Sequence, residues 1–366
     1  MASNISERRY TVLRMTRKRI FALTVAVVGI LFLMTGVGTV AAQSAPDCSN
    51  VTYPGDGTET NPYEVGNVDQ LQCINEQGLD ANYIVISDID ASETSSWNGG
   101  NGFDPIGQPG LLGFTGSFDG QGYNITDLTI NRNGIYIGLF GSFLRGNITD
   151  VGVVDADITG SSPSSVGGIV GFNHRGTVID SHMSGSVTGD SPVNVGGIVG
   201  ENRQGTIINS HTSGIVNGSN AGSLVGSNGG TVRDSYAAGS VNGETVGGLV
   251  GSNDGTVRDS YAAGSVNGET VGGLVGSNFG TISKSYATIS IEDNGGVGGL
   301  VGFNGGTVIE SDATGSVDSS DGTAGGLVGS NSGTVRDSYA AGSVNASGLH
   351  TGGLSGSNNG EINASY

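Results

Sequence analysis

The sequence predicts an all-β chain, a parallel β-helix solenoid of about nine coils of 25–30 residues with an N-terminal helical cap. The first observation is repetition: the 24 residues from Gly230 to Asn253, GTVRDSYAAGSVNGETVGGLVGSN, recur from Gly255 to Asn278. The second is period. The first position of the GG-L/I-VG core falls at Ile137, Gly167, Gly196, Gly222, Gly247, Gly272, Gly298, Gly325 and Gly352, at spacings of 25 to 30 residues. A fixed period in this range marks a solenoid whose units bury their apolar sides only against neighbours. The third is the columns within the repeat. One reads Val178, Ile207, Val232, Val257, Ile282, Val308, Val335, Ile362, and a second Val187, Val216, Val241, Val266, Ile291, Val317, Val344. A third, from the core, reads Ile169, Ile198, Leu224, Leu249, Leu274, Leu300, Leu327, Leu354. Three short apolar runs separated by Gly, Asn and Ser suit three strands and three bends per coil, with no room for a helix. Nine coils would add about 43 Å of length. A β-propeller is the runner-up, but its blades need about 40 residues each.

Two polar columns fit the same geometry. Asn173, Asn202, Asn228, Asn253, Asn278, Asn304, Asn331 and Asn358 hold one position, and Ser181, Ser210, Ser235, Ser260, Ser285, Ser311, Ser338 and Ser365 another. Asparagine tolerates the left-handed backbone of a tight bend, and stacked amides can hydrogen-bond from coil to coil. A structural ladder is expected, in preference to a row gripping a ligand.

The stretch VGGLVGSNDGTVRDSYAAGSV resembles the GLUG repeat, a module of secreted and surface proteins found beside IgA-protease-like and filamentous-haemagglutinin-like adhesin regions. The resemblance covers about residues 136–366 and implies a pectin-lyase-like, right-handed β-helix used in display and adhesion. It brings no catalytic motif to transfer.

Taken in order, residues 1–42 read as a signal peptide or an N-terminal membrane anchor. A basic segment ending Arg17-Lys18-Arg19 precedes an apolar run from Ile20 to Val40, and Val40-Ala41-Ala42 offers a cleavage site before Gln43. The run is also long enough to span a bilayer, and Met15 could equally be the start. Either way the solenoid is expected to be secreted or held at the cell surface, and any membrane contact is through an uncleaved segment.

That segment holds six basic residues and one acidic one of the chain's 14 and 33, which leaves 8 basic and 32 acidic residues and a net charge of −24. Lys284 is the remainder's only lysine. Such a surface repels nucleic acid and anionic lipid. It resembles the surfaces of proteins from extreme halophiles, the alternative being an ordinary acidic secreted protein. Folding is therefore expected to depend on salt.

Residues 43–135 are expected to form the cap and the first coils, continuous with the repeats of 136–366. NVDQLQCINEQ reads as a short helix with Asn67 as N-cap, Gln70 in the capping-box position, and Val68, Leu71 and Ile74 on one side. Cys48 and Cys73 are the chain's only cysteines. They allow one disulfide, whose closure of a loop of about 25 residues contributes roughly 3 kcal/mol; two free buried thiols are the alternative. Tyr83–Ile89 reads as a strand and Trp97–Gly110 as a long loop. Phe114–Ile130 reads as an early coil. With few aromatic residues, the core is expected to be thin and aliphatic.

Candidate chemistry is sparse. A lyase or hydrolase needs two or three carboxylates converging in a groove. The candidates, Asp104, Asp119, Asp127, Asp155, Asp157 and Asp180, are not brought together by anything in the sequence, and near-identical coils give near-identical surroundings. Asp180, Asp234, Asp259, Glu310 and Asp337 share a column interrupted by Asn209, Lys284 and Ala364. A row of acids does not surround a cation, so this column reads as a solvated face relieved by Arg233, Arg258 and Arg336. His182 and His211 fall in a column otherwise filled by Tyr236, Tyr261, Tyr286, Tyr339 and Tyr366. Two imidazoles are not a zinc site, and no catalytic residue, metal ligand or cofactor is expected. The tyrosines are the better functional feature, an exposed aromatic row for stacking on glycans or a cell-envelope protein. The reading is thus a non-catalytic exported scaffold for adhesion or glycan interaction, and the alternative is a carbohydrate-active enzyme, polysaccharide lyase or glycoside hydrolase, of the pectin-lyase-like fold. Asn50, Asn124, Asn147, Asn217, Asn345 and Asn363 lie in N-glycosylation sequons. The sequence stops at Tyr366 within its last coil, so either it is a piece of a longer chain or another chain covers that end.

Overall fold

A computed structural model describes residues 44–366 except 108–112, 162–163, 191–192, 294, 321 and 349. The signal or anchor read in residues 1–42 lies outside the described residues. Among those described, no helix is long and apolar enough to cross a membrane.

The repeats form a right-handed parallel β-helix of about nine coils. In the two-strand cap, β1 is Tyr63–Val65 and β2 is Asn82–Val85. The coil beginning at Gly230 then serves as the reference. It carries β3 (Thr231–Arg233), β4 (Tyr236–Ala237), β5 (Ser240–Asn242), β6 (Thr245–Gly247) and β7 (Val250–Asn253). Each pairs in parallel with the equivalent strand one coil on, so Val232 lies over Val257, Tyr236 over Tyr261 and Asn253 over Asn278.

The three strands expected per coil are thus five shorter segments. Bends interrupt the chain more often than the apolar columns suggest. The bend between β3 and β4 is made by a residue with positive φ: Asp234 at 54°, Asp259 at 50°, Lys284 at 49°, Glu310 at 47° and Asp337 at 51°. The acidic column is therefore the left-handed corner, a conformation that short polar Asp and Asn tolerate best. The recurring row of asparagines, expected to hold that conformation, does not; none of the eight has positive φ.

Those asparagines are instead a buried rail. The Nδ2 of Asn228 donates to Asn253 Oδ1 at 2.8 Å, and Asn253 Nδ2 donates to Asn278 Oδ1 at 2.8 Å. The same bond joins every successive pair from Asn173 to Asn358. The serines make a second rail, in which the backbone N–H of Ser235 donates to Ser260 Oγ at 3.2 Å while each Oγ donates to the carbonyl two residues back. Side chains with both a donor and an acceptor can repeat such bonds indefinitely without leaving a buried polar group unpaired.

The three apolar columns line the interior, joined by residues the column reading left out, among them Val246, Val250 and Ala237. The interior is aliphatic only in the repeats. In the first coils it is aromatic, with Tyr83, Trp97, Phe103, Phe114, Phe118, Phe140 and Phe143 all fully buried. Rings of Phe114, Phe118, Phe140 and Phe143 meet at 5.0 to 6.5 Å. These few aromatics are concentrated at one end, which whole-chain composition cannot register.

The cap contains α1 (Val68–Gln72) and α2 (Ile74–Gln77). Asn67 Oδ1 accepts from Gln70 N at 2.9 Å, and Val68, Leu71 and Ile74 are buried. Gln70 reaches back as a capping box would, but Oε1 takes the N–H of Gly66, at 2.8 Å, rather than that of Asn67. Cys48 and Cys73 form a disulfide. Gln72 and Asn75 each bond backbone of the segment 104–107 in both directions, tying the long loop to the helices.

Candidate functional site

The outward position at the start of β4 builds a continuous aromatic array on the solenoid's side. Parallel pairing stacks His182 on His211, His211 on Tyr236, Tyr236 on Tyr261 and Tyr261 on Tyr286. Ring centroids are 5.3, 4.7, 5.2 and 5.0 Å apart, with planes within 10° of parallel. The spacing follows from the strands, which lie about 4.8 Å apart, a distance at which rings stack favourably. Tyr339 and Tyr366 stack similarly at 5.7 Å.

This differs from the expected row of exposed rings. Tyr236 and Tyr261 are half-buried, because each ring covers its neighbour's faces and leaves mainly edges and hydroxyls to solvent. Bare faces arise only where the column is interrupted. One interruption was not read from the sequence: Asp312 stands between Tyr286 and Tyr339. The other end of the ladder is Gly152, over which the His182 ring and Asn124 Oδ1 converge. A Cβ there would lie 2.2 Å from Asn124 Oδ1 and 2.6 Å from His182 Cε1, so glycine is required by the approach of its neighbours.

Burial pushes the His182 imidazole below its ordinary value, and burial together with His182 does the same for His211. The folded ladder thus disfavours protonation of both, whereas the unfolded chain takes up protons near pH 6.5. The stability they permit is therefore complete above about pH 6.5 and is lost as pH falls through the lowered folded values. We expect the melting temperature to drop between pH 7.5 and pH 5, and the drop to be smaller in His211→Tyr. Equal drops in the two proteins would show that these imidazoles do not couple to folding.

The carboxylates named from sequence separate into groups. Asp104 pairs with Arg132 at 3.3 Å. Asp127, Asp155 and Asp180 occupy left-handed corners. Asp119 and Asp180 both approach Asp150, a residue that the sequence reading had not singled out. Burial first, and then Asp180 and Asp119, raise the Asp150 carboxyl above the usual range. Asp180 also accepts a hydrogen bond from Asn209. Among the described residues no three His, Cys, Asp or Glu side chains are arranged to hold a metal. In the corner column, Arg258 pairs with Asp259 at 2.7 Å and Arg233 with Asp234, so the arginines relieve their own neighbours.

A second aromatic feature was also missed. Tyr136 and Phe172 stack at 4.6 Å, with the Arg203 guanidinium 5.4 Å from the Phe172 ring centre. Phe172 occupies a position held by Ser227, Ser252 and Ser277 in later coils, and that substitution was the available signal. Of the sequon residues, Asn50, Asn147, Asn345 and Asn363 are exposed, while Asn124 and Asn217 are half-buried.

Stacked polar rails inside and a stacked aromatic row outside define a β-solenoid repeat protein. Residues 242–267 and 267–292 match the GLUG motif, and the repeats that contain them form the β-helix described above. Over 156 residues, 40% of this chain, it is 39% identical to Halomucin of Haloquadratum walsbyi, and the matched part is 2% of that protein. The fold is similar, at a TM-score of 0.56 and 23% identity, to the crystal structure of a Bacteroides ovatus protein provisionally named an immunoglobulin A1 protease. That similarity covers 66% of this chain and 79% of the other, and at such identity it speaks to fold only.

Proposed function

We propose that the protein is an exported, non-catalytic surface scaffold whose aromatic ladder face binds glycans of the cell envelope. The observation that carries this reading is the unbroken stack from His182 to Tyr286, a rigid row held in place by strand pairing. Rigid aromatic surfaces lose little entropy when a ligand docks. The match to Halomucin and the GLUG repeats supports placement at a cell surface, and the charge of the chain beyond residue 42 favours neutral or cationic partners over anionic ones.

The test is incubation of the purified protein with a panel of neutral and uronate glycans, scored for binding and for cleavage. Binding without release of reducing or unsaturated ends is expected, weakened roughly fivefold in Tyr261→Ala, the share of about 1 kcal/mol that one aromatic contact contributes. Release of such ends would overturn the scaffold reading in favour of a carbohydrate-active enzyme.

A further inference from the structure

The ladder lacks one rung, and the gap has the shape and charge of a binding slot. Asp312 is in register with Tyr286 on one side and Tyr339 on the other, so one face of each tyrosine meets no ring of the column. Both tyrosines are exposed, at 40% and 37%, where Tyr236 and Tyr261 are half-buried. Two strand spacings separate them, roughly 9.6 Å. A flat group midway would sit about 4.8 Å from each ring, close to the 5.2 and 5.0 Å that the ladder's own rungs keep. The floor of the slot is the half-buried Asp312 carboxylate, with the Tyr339 hydroxyl near it. A carboxylate offers about four lone-pair sites, enough for several donors.

We propose that this slot binds a guanidinium group, the side chain of an arginine presented by a partner protein. The group must be flat to replace a missing ring, and guanidinium is planar. It must gain from two aromatic faces, and cations are attracted to them, arginine most often. It must satisfy a carboxylate from above, and the guanidinium fork donates two parallel N–H bonds to one. An ammonium lacks the plane and the fork, and a neutral sugar ring lacks the cation's attraction to two aromatic faces. Glu310 and Asp337 in the adjoining corner column favour a cation further, while Lys284 in that column is the competing cation of the same chain. This inference rests on the ladder face being a binding face and names a ligand chemistry distinct from the glycan.

The experiment uses the folded chain with isotope-labelled tyrosine rings, titrated at low salt with N-acetyl-arginine amide and, separately, with the citrulline analogue, which has the same shape without the charge. Saturable shifts of the Tyr286 and Tyr339 rings are expected with arginine, while Tyr236 is unmoved. The citrulline analogue is expected to bind at least tenfold more weakly. Asp312→Asn should lose at least tenfold, and Asp312→Tyr, which restores the rung found in neighbouring coils and serves as the folding control, should abolish the shifts. Equal binding of citrulline, equal shifts with methyl glucoside, or arginine shifts that survive in Asp312→Tyr would each overturn the proposal. Glycan binding that is lost in Tyr261→Ala but kept in Asp312→Asn would leave the glycan reading standing by itself.

Discussion

Asn253→Ala is expected to lower stability by roughly 3 kcal/mol, far more than the loss of one exposed amide. Two ladder bonds go at once: Asn228 Nδ2 loses its acceptor at 2.8 Å and keeps only the longer contacts to the Gly230 and Thr256 carbonyls at 3.4 Å, while Asn278 Oδ1 loses its donor at 2.8 Å. Both partners are fully buried, so water cannot replace what is lost without opening the coil. A buried polar atom left unpaired costs about 1–3 kcal/mol, and a chain of polarised amides gives up some cooperative strengthening as well. Asn358, itself exposed, holds one rail bond rather than two, from Asn331 at 2.7 Å, and is the comparison; Asn358→Ala should cost less, about 1 kcal/mol. Chemical denaturation of the two variants reads the difference. If they lost equal stability, the rail would be a by-product of register and not a source of stability.

The melting temperature is expected to rise steeply between 0.1 M and 2 M salt. Parallel register places like charges over one another: Asp234 beside Asp259 in the corner column, and Asp150 close to Asp119 and Asp180. Directly opposed like charges are destabilising, and the Debye length shortens from about 10 Å at 0.1 M to a few ångströms above 1 M. The same salt weakens the exposed pairs of Arg233 with Asp234 and Arg258 with Asp259, but exposed pairs contribute only about 0–1 kcal/mol each. With 32 acidic against 8 basic residues beyond residue 42, relief of repulsion exceeds that loss. At roughly 2–4 °C per kcal/mol for a unit of this size, a gain of a few kcal/mol is a shift of several degrees. An unchanged melting temperature across this range would mean that the acidic surface plays no part in folding, and it would remove the physical ground for reading it as an adaptation to salt.

The candidate site was legible in part. The tyrosine column was visible as a column because Tyr236, Tyr261 and Tyr286 recur in repeats of nearly equal length. Its physical character was not, since rings cover one another only when the register is fixed and the strands lie a ring's stacking distance apart. Asp312 is hidden in the sequence because a repeat pattern is defined by what recurs, whereas a gap in a repetitive wall arises where something does not. Asp150 was overlooked for a related reason: it joins Asp119 and Asp180 through coil-to-coil stacking across unequal early repeats.

What the sequence by itself determined is which residues lie over which. Periodicity specifies register, register stacks Asn on Asn, Ser on Ser and Val on Val, and a side chain identical to its neighbour's can repeat the same contact along the whole solenoid. How the chain bends between those contacts was decided only by the tertiary structure. The left-handed corner lies at Asp234 and Asp259, between β3 and β4, whereas the asparagines stand at another bend of the coil with their amides in the rail. The glycines of the GGLVG core are explained the same way. A Cβ on Gly272 would lie 1.9 Å from the Val275 carbonyl oxygen, so the residue is glycine because backbone passes there within touching distance. A linear pattern records that a glycine recurs, and only the folded backbone shows what would occupy the space of its missing side chain.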